Sequence, residues 1–313
     1  MDQEERFYEK MREKGVSRRD FMRYSAYLTA AMGLSSSFAP KVAEVFAAPK
    51  QRPPVIWLHF AECTGCTESA IKTSYPWIDE LIFEVLSIEY HETIMAAAGH
   101  QAEKNLFDAV EKYEGKFICI AEGAIAVEHN GVYGKTAGKT HLEIAKSVIP
   151  NALATICLGT CAAYGGIQAA KPNPGGFKSV SEALGIKTLN IPGCPPDPVN
   201  LVGTIINYIF FGRLPDLDDI GRPLFAYGET VHDKCPRRSH YEDGEFVEEF
   251  GSEEAKLGYC LYKLGCKGPD TYSNCPLRGF NDTTNWCIGA GTPCKGCVEP
   301  NFWDTMTPFY KES

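Results

Sequence analysis

Four cysteines, Cys275, Cys287, Cys294 and Cys297, stand within "NCPLRGFNDTTNWCIGAGTPCKGC", a stretch with the period of neither a helix nor a strand. A segment this rich in thiols and this poor in apolar pattern must be ordered by something other than its own core. Disulfides, structural zinc and an electron-carrying cluster all meet that need. The 313-residue chain has 13 cysteines, and an odd number fits poorly with complete disulfide pairing.

The first residues read as an address. In "VSRRDFMRYSAYLTAAMGLSSSFAPKVAEVFAAP" the pair Arg18 and Arg19 precedes a moderately apolar run from about Tyr24 to Phe38 and a small-residue end, "VFAA". That is the build of an export signal, and the Arg-Arg-x-Phe core from Ser17 to Met22 marks the twin-arginine type. Residues 1–48 are expected to be removed near Ala47 or Ala48 and the remainder to reside in the periplasm. A periplasmic destination permits disulfides. The twin-arginine route, however, carries folded cargo, whose cysteines can take up metal before export.

From Pro53 onward short apolar runs alternate with helical patterns. The runs 54–60, 85–90, 117–125, 154–160 and 188–193 read as strands. A helical segment ends near Phe83, 94–113 reads as a helix, and 198–212 as one started by Pro198 and stopped by Gly212. Strands alternating with helices predict an α/β, flavodoxin-like open parallel sheet over 49–225. After about Ala226 the apolar periodicity fades, so 226–313 is expected to be a largely irregular domain ordered by bound metal. The net charge of −9 without a basic stripe excludes nucleic acid as a partner, and no long apolar run after the first fifty residues predicts a membrane span.

The cysteines fall where such a sheet would gather them. Cys63 and Cys66 follow the first strand, Cys161 the fourth and Cys194 the fifth. The carboxyl ends of parallel strands line one crevice, so these four would converge on one ligand, zinc or an iron–sulfur cluster. His232, Cys235, Cys260 and Cys266 form a second set, and Cys275, Cys287, Cys294 and Cys297 a third. Cys119 and Cys157, inside apolar strands, read as small core residues. His59, His91, His100, His129, His141 and His240 read as ordinary histidines. Three metal sites in series have little structural use beside a sheet core, but a row of clusters makes an electron wire.

The motifs "RRDFM", "ECTGCTES", "GTCAAYGG", "NIPGCPPDP", "VHDKC", "GYCLYKLGCKGP", "NCP" and "CVEPNFWD" give the chain a clear resemblance to the small subunits of nickel–iron uptake hydrogenases. The resemblance implies a heterodimer whose large subunit holds the nickel–iron centre, while this chain relays electrons to an acceptor such as a cytochrome c. It implies a proximal four-iron cluster on Cys63, Cys66, Cys161 and Cys194, and a distal one on His232, Cys235, Cys260 and Cys266. Cys275, Cys294 and Cys297 match the medial ligands. Most similar chains have proline after "NW" and a three-iron medial cluster. Cys287 stands there in this chain and predicts a four-iron medial cluster, as in the nickel–iron–selenium subgroup. Glu62 and Thr64 match positions facing the large subunit. Oxygen-tolerant members carry two additional cysteines near the proximal cluster, at positions matching Gly65 and Gly134 here.

Overall fold

The computed structural model describes residues 18–47, 52–74, 76–283 and 285–312. Helix α1 (Arg18–Ala31) and helix α2 (Ala39–Ala47) precede the sheet. The expected signal core begins at Ser17, and the expected cleavage point reaches residue 48. Both lie outside the described residues.

The strands are β1 (Pro54–His59), β2 (Ser87–His91), β3 (Ile118–Glu122), β4 (Ala154–Leu158) and β5 (Leu189–Ile191). They form one five-stranded sheet in the order β2-β1-β3-β4-β5, and every pairing is parallel. This is the flavodoxin-like order, in which the chain starts beside the middle and reverses direction at a switch point. Successive side chains of a strand point to opposite faces, and here both faces are buried. Val55, Trp57, Ile118, Ile120, Ile156 and Leu158 belong to one apolar cluster, and Ile56, Leu58, Cys119, Ala121 and Cys157 to the other. Cys119 and Cys157 are fully buried there, as small core residues.

Helix α3 (Gly65–Ile71) follows β1, and helix α4 (His100–Lys112) lies between β2 and β3. The helical pattern expected up to Phe83 is broken into α3, a short turn Ile78–Glu80 and a π-helical turn Leu81–Val85. The pattern expected from 94 begins only at His100, after Gly99 at φ +57°. Between β3 and β4 the chain makes a two-residue hairpin and helix α5 (His141–Val148), elements that no sequence period announced. Helix α6 (Thr160–Tyr164) opens directly from β4. Helix α7 (Pro198–Phe211) has Asp197 accepting the Val199 N–H at its start and Gly212 at φ +65° at its end. Its apolar side joins the cluster that also contains Leu28 of α1, Met32 just beyond it, and Val42 and Ala43 of α2. No helix among the described residues is long and apolar enough to cross a membrane.

Beyond Tyr227 there is little regular structure and one small apolar cluster: Val231, Val247, Leu261, Leu264, Cys266 and Ile288. Six side chains at about 1.5–3 kcal/mol each fall far short of the backbone entropy lost in ordering that length of chain. Coordination can supply the difference. Limited proteolysis of chelator-treated protein is therefore expected to cut first within 227–312 while the sheet persists, read by mass spectrometry of the fragments. Equal resistance of both parts would show that the C-terminal part carries its own core.

Candidate metal centres

All 13 cysteines are free thiols, so no disulfide orders the C-terminal part. At the carboxyl end of the sheet, Cys63 and Cys66 flank the start of α3, Cys161 lies in α6, and Cys194 follows β5. Their sulfurs are electrostatic neighbours. Burial pushes the Cys66 thiol well up, and charge on Cys161, Cys194 or Cys63 would push it further. Burial likewise raises Cys161 to about 11, again with Cys194 and Cys63 adding.

Glycines let the backbone close on these sulfurs. A Cβ on Gly159, at φ +90°, would lie 2.3 Å from the Cys66 Sγ, and one on Gly166, at φ +64°, 2.4 Å from the Cys161 Sγ. Both angles are in the region where side chains are strained. Gly65 stands 3.1 Å from the Cys63 Sγ by the same measure. A Cβ on Gly134 would meet the His141 ring, 2.5 Å away.

His232, Cys235, Cys260 and Cys266 line one pocket, together with Arg237 and Tyr262. Backbone bonds define it: Val231 N–H to the Thr271 carbonyl at 2.7 Å, Cys260 N–H to the Glu245 carbonyl at 3.0 Å. Burial raises the Cys235, Cys260 and Cys266 thiols. The Tyr241 ring stands edge-on to His232, with centroids 4.7 Å apart.

The third set converges as well. Burial raises Cys275 to about 11, and Cys287 is among the charges that raise it further. Burial also raises Cys294 and Cys297, with Cys275 adding to both. Cys287 therefore lies within electrostatic range of Cys275.

The groups adjoin in a definite order. The Cys194 N–H stabilises the Cys297 thiolate, which joins the first group to the third. The Cys294 N–H stabilises the Cys266 thiolate, which joins the third to the second. The Lys267 N–H also donates to the Cys294 carbonyl at 3.0 Å. The set that comes last in sequence lies in the middle.

The spread of the sulfurs bears on what they can hold. A tetrahedral zinc binds sulfur at about 2.3 Å, which brings its ligand atoms within roughly 4 Å of one another. Among the described residues, only His59, Glu62 and Glu122 bring three candidate ligand atoms within 4.8 Å of one another. The cysteine groups are more open and fit a body of several metal atoms. Thiolates gathered this way are stabilised by a cationic core.

The trio His59, Glu62 and Glu122 was not apparent from sequence. Glu122 ends β3, fully buried, and accepts from Trp57 Nε1 at 2.8 Å and Thr67 Oγ1 at 2.5 Å. Burial holds its carboxyl above the usual range. His59 Nδ1 and Thr64 Oγ1 each lie 3.3 Å from Glu62 Oε1. His59 Nε2, Glu62 Oε2 and Glu122 Oε2 are buried without partners, as is His141 Nδ1. His59 and His141 are thus not the satisfied histidines that the sequence suggested. The only signal for Glu122 was a lone carboxylate in an otherwise apolar strand, "FICIAE".

Comparison with known proteins gives one family. Residues 227–310 match the model for the C-terminal part of the NiFe/NiFeSe hydrogenase small subunit, and residues 63–208 that of the NADH ubiquinone oxidoreductase 20 Kd subunit. The chain is 56% identical over 300 residues to the periplasmic [NiFe] hydrogenase small subunit of Solidesulfovibrio fructosivorans, covering 96% of this chain and 94% of the relative. It is 49% identical over 301 residues to the quinone-reactive Ni/Fe-hydrogenase small chain of Wolinella succinogenes, covering 96% and 85%. Among solved structures, the Ni-Fe-Se hydrogenase of Desulfomicrobium baculatum aligns with TM-score 0.78 and 38% identity, covering 84% of this chain and 100% of that one.

Two substitutions separate ligand geometry from packing. Gly159→Ala should lose the metal of the first group, because its Cβ has no room beside Cys66. Cys157→Ala should retain full metal content and lower stability by about 1–2 kcal/mol. Metal analysis with thermal denaturation checks both.

Proposed function

The chain belongs to the family of NiFe and NiFeSe hydrogenase small subunits, and from that premise we propose that it relays electrons through three iron–sulfur clusters. The path runs from the nickel–iron centre of a large subunit to a periplasmic acceptor such as a cytochrome c. The carrying observation is the chain of adjoining cysteine groups, each too open for a single tetrahedral ion and linked through Cys194–Cys297 and Cys294–Cys266. Bound iron–sulfur clusters supply one-electron carriers.

Cys63, Cys66, Cys161 and Cys194 would hold the proximal four-iron cluster. Cys63 and Cys194 are exposed, and so is Ile167, at 71%. An open metal face beside an exposed apolar side chain is suited to cover by a partner protein, here the large subunit. Glu62 and Thr64 stand at the same edge, and burial raises the carboxyl of Glu122 beneath them. His232, Cys235, Cys260 and Cys266 would hold the distal cluster. The half-buried His232 is followed by exposed Asp233 and Lys234, a polar surface that an acceptor can approach. A neutral imidazole in place of a thiolate favours the reduced state of the cluster it binds.

Export by the twin-arginine route fits the leader motif. The Desulfomicrobium chain is matched over its full length yet leaves about one-sixth of this chain unmatched, as a shorter mature chain would. We read 1–48 as the leader, 49–225 as the sheet domain and 226–313 as the cluster domain.

Cys287, a thiol within electrostatic range of Cys275, supports a medial four-iron cluster on Cys275, Cys287, Cys294 and Cys297 rather than a three-iron one. Electron paramagnetic resonance of the oxidised heterodimer tests this. Oxidised four-iron clusters of this type are silent, so no strong three-iron signal is expected, and Cys287→Pro should create one. A stoichiometric three-iron signal in the unmutated enzyme would overturn the assignment.

A further inference from the structure

Arg222 lies in the connector after α7, is no metal ligand, and is only 5% exposed. Its Nε donates to Asp218 Oδ2 at 2.7 Å and its terminal nitrogen to Glu299 Oε1 at 3.0 Å. The guanidinium also faces the rings of Tyr227 and Tyr272, with its carbon 5.8 and 5.4 Å from their centroids. Glu299 Oε1 accepts the Tyr272 N–H at 2.7 Å as well. The cation thus sits at a junction of three chain segments.

Two of these contacts lead to metal-binding groups. Glu299 is two residues beyond Cys297, in the third group. Tyr227 donates its hydroxyl to the Pro192 carbonyl at 2.8 Å, two residues before Cys194, in the first group. Tyr164, three residues beyond Cys161, feels the charges of both Arg222 and Glu299. We propose that Arg222 is a positioning residue that fixes the spacing between the first and third cysteine groups, and hence the first step of the electron path.

The chemistry favours position over stability as its purpose. A buried ion pair contributes little net stability compared with well-packed apolar residues of the same volume, whereas its fork of donors imposes one geometry. Lysine keeps the charge but loses the fork and the stacking. Electron tunnelling falls exponentially with the distance between carriers, so a wider gap between the two groups slows the relay and leaves the chemistry at the large subunit untouched.

This inference rests on the electron-relay reading. The test uses the assembled heterodimer carrying Arg222→Lys or Glu299→Gln. Isotope exchange between hydrogen and deuterated water occurs at the large subunit and needs no relay. Hydrogen-driven reduction of a dye needs the relay. Both variants are expected to retain iron content and isotope exchange, to lose severalfold in dye reduction, and to show weakened magnetic interaction between the first- and third-group centres. The proposal is overturned if dye reduction and the magnetic interaction are unchanged in both variants. It is also overturned if dye reduction and exchange fall by the same factor in a variant that keeps its iron. Absence of dye reduction in the unmutated heterodimer would instead refute the relay reading itself.

Discussion

Thr160 donates its hydroxyl to the Cys297 carbonyl at 2.5 Å and accepts the Gly193 N–H at 2.9 Å. Its own N–H reaches the Gly193 carbonyl at 3.0 Å. One buried side chain thereby ties the end of β4, the turn after β5 and the C-terminal segment together. The sheet supplies a rigid edge, and through Thr160 that edge becomes the reference for a C-terminal part that cannot order itself. Cys161 and Cys194 are next to Thr160 and Gly193 in the chain, so the contact that joins the two parts also joins the first and third thiol groups.

The two parts solve the same problem by different physics. The sheet buries both faces, with alternate residues of β1, β3 and β4 sent to opposite clusters. The part after Tyr227 has thiols where the sheet has leucines, and Cys266 even belongs to its small apolar cluster. A part organised this way has its ligands as its core, and its stability depends on what they hold.

Much of this was legible in the sequence because strand ends are legible. Buried parallel strands announce themselves by short β-branched runs, and the rule that their carboxyl ends share a crevice is enough to bring Cys63, Cys66, Cys161 and Cys194 together. Proline at 198 and glycine at 212 bounded α7 correctly, for local steric reasons. What escaped was whatever depends on tertiary contact. Helix α5 and its hairpin carry no period long enough to detect. Glu122 and His59 look unremarkable until the fold buries them beside Cys66. The middle position of the last thiol group followed from family resemblance alone, since nothing in sequence order implies it; in the structure it follows from the Cys194–Cys297 and Cys294–Cys266 contacts.

The central claim is that the thiol groups hold multi-iron bodies in the order first, third, second. Anomalous diffraction at the iron edge from crystals of the assembled heterodimer measures it directly. Three extended peaks in this chain, with the middle one among Cys275, Cys287, Cys294 and Cys297, are the predicted result. Single-ion peaks, or a peak at those four cysteines lying at one end of the row, would contradict the account.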